Sequence, residues 1–85
     1  MTANIYQNLV DRGLTLWNAG NKTEAMDYFQ ASLTIKPDNP EALFYVGRLY
    51  QDAGDTDNAN SMFDKVVNEF PDSEYVDRAK NARGY

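Results

Sequence analysis

Eighty-five residues make one small domain, and a 42% hydrophobic fraction with six Tyr, four Phe and one Trp is enough for a packed core rather than a disordered chain. The net charge of −5, from 8 basic and 13 acidic side chains, disfavours nucleic acid and anionic membrane as partners. With no Cys and no His, the chain has no disulfide, no thiolate chemistry, and neither the commonest general base nor the commonest metal ligand.

No apolar run approaches the roughly 18 residues of a membrane span. Met1 to Gln7 lacks a basic stretch followed by an apolar one, so no signal peptide is read there. Thr2 can cap a first helix. Ile5, Leu9, Val10, Leu14, Leu16 and Trp17 then follow at helical spacing until Gly20, which closes helices in the left-handed conformation. Asn21 starts a second helix, with Glu24 three residues on as in a capping box. Ala25, Met26, Phe29, Leu33 and Ile35 give it an apolar face, and Pro37 ends it by restricting Lys36.

Asn39-Pro40-Glu41 is a strong start signal for a third helix: a capping Asn, a Pro where no N–H is needed, and an acid at the positive helix end. Leu43, Val46, Leu49 and Tyr50 carry it inward to Gly54. Asp55 caps a fourth helix lined by Ala59, Met62, Phe63, Val66, Val67 and Phe70, which Pro71 ends. Ser73 caps a fifth, with Tyr75, Val76, Ala79 and Ala82 on one side and Asp77, Arg78, Lys80 and Arg83 charged. Loops this short make neighbouring helices antiparallel. There is no strand pattern and no low-complexity linker.

The chain repeats itself. A shift of 34 residues matches Leu9 with Leu43, Gly13 with Gly47, Ala19 with Ala53, Gly20 with Gly54, Ala25 with Ala59, Phe29 with Phe63, Pro37 with Pro71 and Asp38 with Asp72. A fixed period of this size marks a repeat fold. Gly13 and Ala25, and Gly47 and Ala59 in the second copy, fall where two helices approach closely, and Phe29 and Phe63 fill the space between pairs.

The second unit reads Leu43-x2-Val46-Gly47-x2-Tyr50…Ala59-x3-Phe63…Pro71, and the first Leu9-x2-Arg12-Gly13-x2-Leu16…Ala25-x3-Phe29…Pro37. Both resemble the tetratricopeptide repeat, a 34-residue helix–turn–helix unit with a W-x2-L-G-x2-Y…A-x3-F…P pattern. The resemblance implies an all-α fold of antiparallel helix-turn-helix repeats, a short right-handed α-solenoid of about five helices. It divides the single domain, 1–85, into repeat one (about 6–39), repeat two (40–73) and a capping helix (74–83). Arg12 departs from the pattern, either because a first repeat has one side wet or because it meets a partner or a second copy. The second unit also looks like repeats of bacterial cell-envelope members. The expected location is cytoplasmic, or the cell envelope if the chain is a processed piece. Met1 and a closing helix are what a complete chain would show.

In this family the first helices of each pair line a concave groove that holds a peptide or protein segment. Mapped by the repeat, the partner-binding candidates are Val10, Leu14, Trp17 and Asn18 from the first unit, and Phe44, Tyr45, Arg48, Gln51 and Asp52 from the second. The closing helix adds Arg78. Gln7, Glu41 and Tyr75 lie on the same side. Two readings of this aromatic stripe stay open: an exposed interface rich in aromatics and Arg, or Trp17 and Phe44 packed together as extra core. Chaperone-binding members hold a terminal carboxylate with Lys and Asn; here those places are Val10, Leu14 and Tyr45, so an apolar or aromatic segment is the better fit.

Asp52, Asp55 and Asp57 lack the Gly and final Glu of a calcium loop and read as helix-end residues. Ser32, Ser61 and Ser73 have no His to activate them, and the glycines are spaced for packing rather than for phosphate. No enzyme, metal or cofactor is expected. The expected function is a protein-interaction module binding a peptide or partner segment, with no nucleic acid or membrane partner. The alternative is a self-assembling scaffold, because two and a half units leave apolar ends at Ile5, Tyr6, Tyr75 and Val76, and about three repeats are usually needed for stability.

Overall fold

Glycine and proline punctuation divides the chain into helices α1 (Ile5–Asn18), α2 (Lys22–Ile35), α3 (Pro40–Asp52), α4 (Thr56–Glu69) and α5 (Tyr75–Arg83). A computed structural model describes residues 4–84, among which there is no strand; Thr2 lies outside the described residues. The two tight turns are built alike. Gly20 and Gly54 stand at φ 87° and 81°, a left-handed conformation that costs a residue with a Cβ more than it costs glycine. The Gly20 N–H bonds the Trp17 carbonyl and the Asn21 N–H the Leu16 carbonyl; in the second unit Gly54 bonds Gln51 and Asp55 bonds Tyr50. Both turns are Schellman closures that satisfy carbonyls the helix end leaves open.

The helix starts are less uniform. Asp55 accepts from the Asn58 N–H at 3.3 Å, and the Ser73 hydroxyl accepts from the Tyr75 N–H at 3.0 Å. Asn21 makes no side-chain capping bond, so the capping box with Glu24 does not form. Asn39 also makes none: it is buried at the entry to α3, its amide Nδ2 enclosed without a partner. The α2 start follows from the backbone bond that closes the preceding turn, and the α3 start from Pro40 and the buried seat of Asn39.

The pairs close through their small residues. A Cβ placed on Gly13 would lie 2.6 Å from Cε1 of Phe29, and one on Gly47 would lie 2.6 Å from Cε1 of Phe63. Both phenylalanines and both partner alanines, Ala25 and Ala59, are fully buried. Hence the close approach itself recurs at the repeat offset. Ser32, also fully buried, donates from its hydroxyl to the Tyr6 carbonyl at 2.7 Å, tying the end of α2 to the start of α1. That contact is available because the short turn makes the pair antiparallel.

α3 is the central element. Val46 and Leu49 join Val10 and Phe29 in one cluster, while Leu43 and Phe44 join Phe63, Val66, Tyr75 and Ala79 in the other. Each large side chain removed from water in this way contributes about 1.5–3 kcal/mol. Two residues depart from expectation. Ile35 is not part of the α2 core face but 52% exposed; ten residues beyond Ala25, it is turned roughly 80° from it at 3.6 residues per turn. Tyr75 is not an exposed chain end but buried, with its ring against Phe44 and Tyr45.

α1, α3 and α5 form one layer with their starts aligned. Gln7 donates to Glu41 at 3.1 Å, and the Tyr75 hydroxyl donates to the other oxygen of Glu41 at 2.8 Å. These three residues are successive copies of one repeat position. At the far end the Gln51 amide donates to the Ala82 carbonyl. α2 and α4 form the second layer, and Arg83 pairs with Asp64 to fasten α5 onto α4.

Candidate binding groove

Parallel alignment of α1, α3 and α5 leaves an open cavity of about 880 Å³ along their shared face. α1 contributes Leu14, Trp17 and Asn18; α3 contributes Phe44, Tyr45, Arg48 and Gln51; α5 contributes Arg78, Asn81 and Ala82. These positions meet because side chains three and four apart share a helix face. The repeat offset then brings equivalent faces together.

The floor is aromatic. Trp17 meets Tyr45 edge-on at 5.4 Å between ring centroids and Phe29 at 6.2 Å. Phe44 touches Tyr45 at 5.2 Å and Tyr75 at 5.6 Å, also with inclined rings. Such edge and tilted contacts suit the ring quadrupole and add about 0.5–1.5 kcal/mol each beyond area burial. The two readings of the stripe therefore divide by residue. Phe44, only 5% exposed, belongs to the core, whereas Trp17 and Tyr45 are half-buried and face the cavity.

Two candidates lie elsewhere. Val10 is fully buried in the cluster with Phe29 and Val46, so it cannot meet a partner; α3 covers the short side chain. Asp52 ion-pairs with Lys22 at 3.1 Å and lines a separate cavity of about 400 Å³ with Met26 and Leu49, between α2 and α3. Asn81 and Ala82 were missed. Ala82 shares the column of Leu14 and Arg48, so the repeat offset could have found it. Asn81 shares the column of Gly13 and Gly47, and carried no such signal.

The charges in the cavity are both positive. Neither Arg48 nor Arg78 has a carboxylate partner among the described residues. Arg78 lies over the Tyr75 ring at 5.0 Å, and Arg48 Nε is enclosed without an acceptor. The Tyr75 phenol is pushed well above its ordinary value, first by burial and then by the Glu41 carboxylate that accepts its hydrogen bond. It stays neutral and donating, which keeps the ring beneath Arg78 fixed. Arg12, off the groove, has its guanidinium 5.9 Å from the Tyr28 ring.

Among the described residues no three His, Cys, Asp or Glu stand close enough to hold a metal ion. Of the acidic cluster, Asp55 caps α4 and Asp52 pairs with Lys22. Among the described residues no helix is long and apolar enough to cross a membrane.

The tetratricopeptide repeat family model matches residues 16–82, which is most of the chain. The chain belongs to that family. No solved structure matches it. Tetratricopeptide repeats serve in general as protein-interaction modules and are typically not enzymes. In this tetratricopeptide protein the groove is lined by the layer of first helices, and what distinguishes it is the set of side chains that differ between its copies.

Proposed function

We propose that the protein binds a segment of a partner protein in the groove of α1, α3 and α5, with an apolar or aromatic side chain seated beside Trp17. The observation that carries this is the open aromatic-floored cavity, in which Trp17, Tyr45 and Arg48 are only half-buried. Tryptophan, tyrosine and arginine are the residues that most often dominate binding energy at interfaces. The test is affinity capture with wild type, Trp17→Ala and a Trp17→Ala, Arg48→Glu double variant, each shown by circular dichroism to be folded. Partners lost progressively across the series support the groove. Recovery of the same partners by all three rules it out.

A second function has one observation in its favour. Ile5 is 57% exposed at the start of α1 and Ile35 52% exposed at the end of α2. Antiparallel pairing brings these two ends together on the first unit, and no other described element covers them. A second copy stacked there would lengthen the solenoid. Light scattering coupled to size exclusion tests this, and a strict monomer at high concentration removes it.

A further inference from the structure

The cavity brings two arginines of this acidic chain together with no carboxylate in its lining. The chain carries −5 overall, yet the cavity lining has two arginines, three side-chain amides from Asn18, Gln51 and Asn81, and no Asp or Glu. Outside it, Lys22 pairs with Asp52, Lys36 with Asp38 and Arg83 with Asp64, and neither this cavity nor the one between α2 and α3 gathers Arg12, Lys65 or Lys80. Glu41, the carboxylate nearest in the repeat pattern, is spent on Gln7 and Tyr75 and does not line the cavity.

Each arginine has part of its guanidinium against the protein. Arg78 rests on the Tyr75 ring at 5.0 Å, and that ring is fixed by the hydroxyl bond to Glu41. Arg48 has its Nε enclosed and unmatched. A buried charged donor without an acceptor is costly, and a carboxylate brought near repays part of that cost. A guanidinium already oriented loses less entropy when it grips a planar anion. Beside the arginines stands Trp17, with apolar surface still open.

We propose that the groove takes an acidic segment of a partner protein, with side-chain carboxylates between Arg48 and Arg78 and an adjacent aromatic or aliphatic side chain against Trp17. The proposal rests on the groove reading above and adds the chemistry of the occupant. It also gives the occupant a direction, apolar part toward α1 and acidic part toward α5. The carboxylates are those of side chains, so a free chain end is not required.

The test is selection from a display library of random end-blocked peptides on the full chain, followed by titration of the selected peptide through Trp17, the only Trp. Selected sequences should pair Asp or Glu with an aromatic or aliphatic residue. Replacing the acids by their amides should weaken binding about tenfold or more, the worth of a charge-assisted hydrogen bond. In Arg48→Gln, Arg78→Gln the acidic and amide peptides should differ by less than about threefold; on the wild type, raised salt should weaken only the acidic one. Apolar selected sequences whose acids are dispensable overturn the acidic occupant and leave the groove standing. No selection above the blank surface, or selection unchanged by Trp17→Ala, overturns both.

Discussion

Gly47→Ala is the most informative single change in the scaffold, because its sign depends on one contact. In an exposed helix interior, Gly to Ala stabilises by about 1 kcal/mol. Here the new Cβ would stand 2.6 Å from Cε1, 3.0 Å from Cδ1 and 3.1 Å from Cζ of Phe63. Phe63 is fully buried, so its ring cannot swing away, and α3 must lift from α4. Overpacking of this kind costs about 1–3 kcal/mol. The propensity gain offsets part of it, and we expect a net loss of about 1 kcal/mol, or roughly 4–8 °C in melting temperature for a domain of this size. Urea melts at constant slope measure it. Phe63→Leu removes Cε1 and Cζ, so in that background Gly47→Ala should become neutral or stabilising. Stabilisation by Gly47→Ala in the wild-type background would refute the close approach.

Other changes probe the rest of the frame. Ala59→Leu should cost about 1–3 kcal/mol by overpacking the same seam, and Phe63→Ala about 3–5 kcal/mol by opening a cavity; an unchanged melt for either contradicts the placement. Ser32→Ala should cost about 0.5–1.5 kcal/mol through the lost bond to the Tyr6 carbonyl, seen as a lower urea midpoint with the slope unaltered. The raised pKa of Tyr75 means the folded state keeps its phenolic proton where the unfolded chain, near 10.0, loses it. Stability from this group is therefore complete below about pH 10 and falls as pH rises further. Tyr75→Phe should remove that part of the decline, and an identical alkaline profile for both proteins would argue against the buried bond to Glu41.

Backbone punctuation was legible in the sequence because it is encoded locally. Gly20 and Gly54 take a left-handed φ that other residues avoid, and Pro37 and Pro71 restrict the residue before them, whatever surrounds them. Capping was less legible because it depends on where a side chain can turn. Asn39 and Ser73 are copies of one position, yet only Ser73 bonds a helix N–H, while the Asn39 amide is enclosed at its seam. The groove columns were found by the repeat offset, which assumes that copies share an environment. Val10 breaks that assumption because α3 covers it, and Asp52 because it finds Lys22 on the other side of α3. Asn81 breaks it in the opposite sense. Its copies Gly13 and Gly47 face a paired second helix, whereas α5 has none after it among the described residues, so Asn81 reaches the groove.

The same offset explains why the groove has polarity at all. Where copies agree, as at Gly13 and Gly47 or Phe29 and Phe63, the side chains hold paired helices together at matching distances. Where they disagree, the helices of one layer present different chemistry at equivalent places. The column through Val10 and Phe44 ends in Arg78, and that through Leu14 passes Arg48 to Ala82. An identical repeat would give a groove of one character, unable to orient a segment lying across it. These substitutions place apolar surface on α1 and guanidinium groups on α3 and α5, so a bound segment reversed end for end would set its carboxylates against Leu14 and Trp17 and leave both arginines unmatched. Discrimination of that kind comes from the penalty on the wrong arrangement as much as from the gain in the right one. Exchanging Leu14 and Arg48 in one double variant, Leu14→Arg with Arg48→Leu, keeps the composition and the total charge. It should weaken a selected acidic–aromatic peptide by tenfold or more while its reversed sequence gains. Equal binding of both peptides before and after the exchange would show that the groove reads no direction.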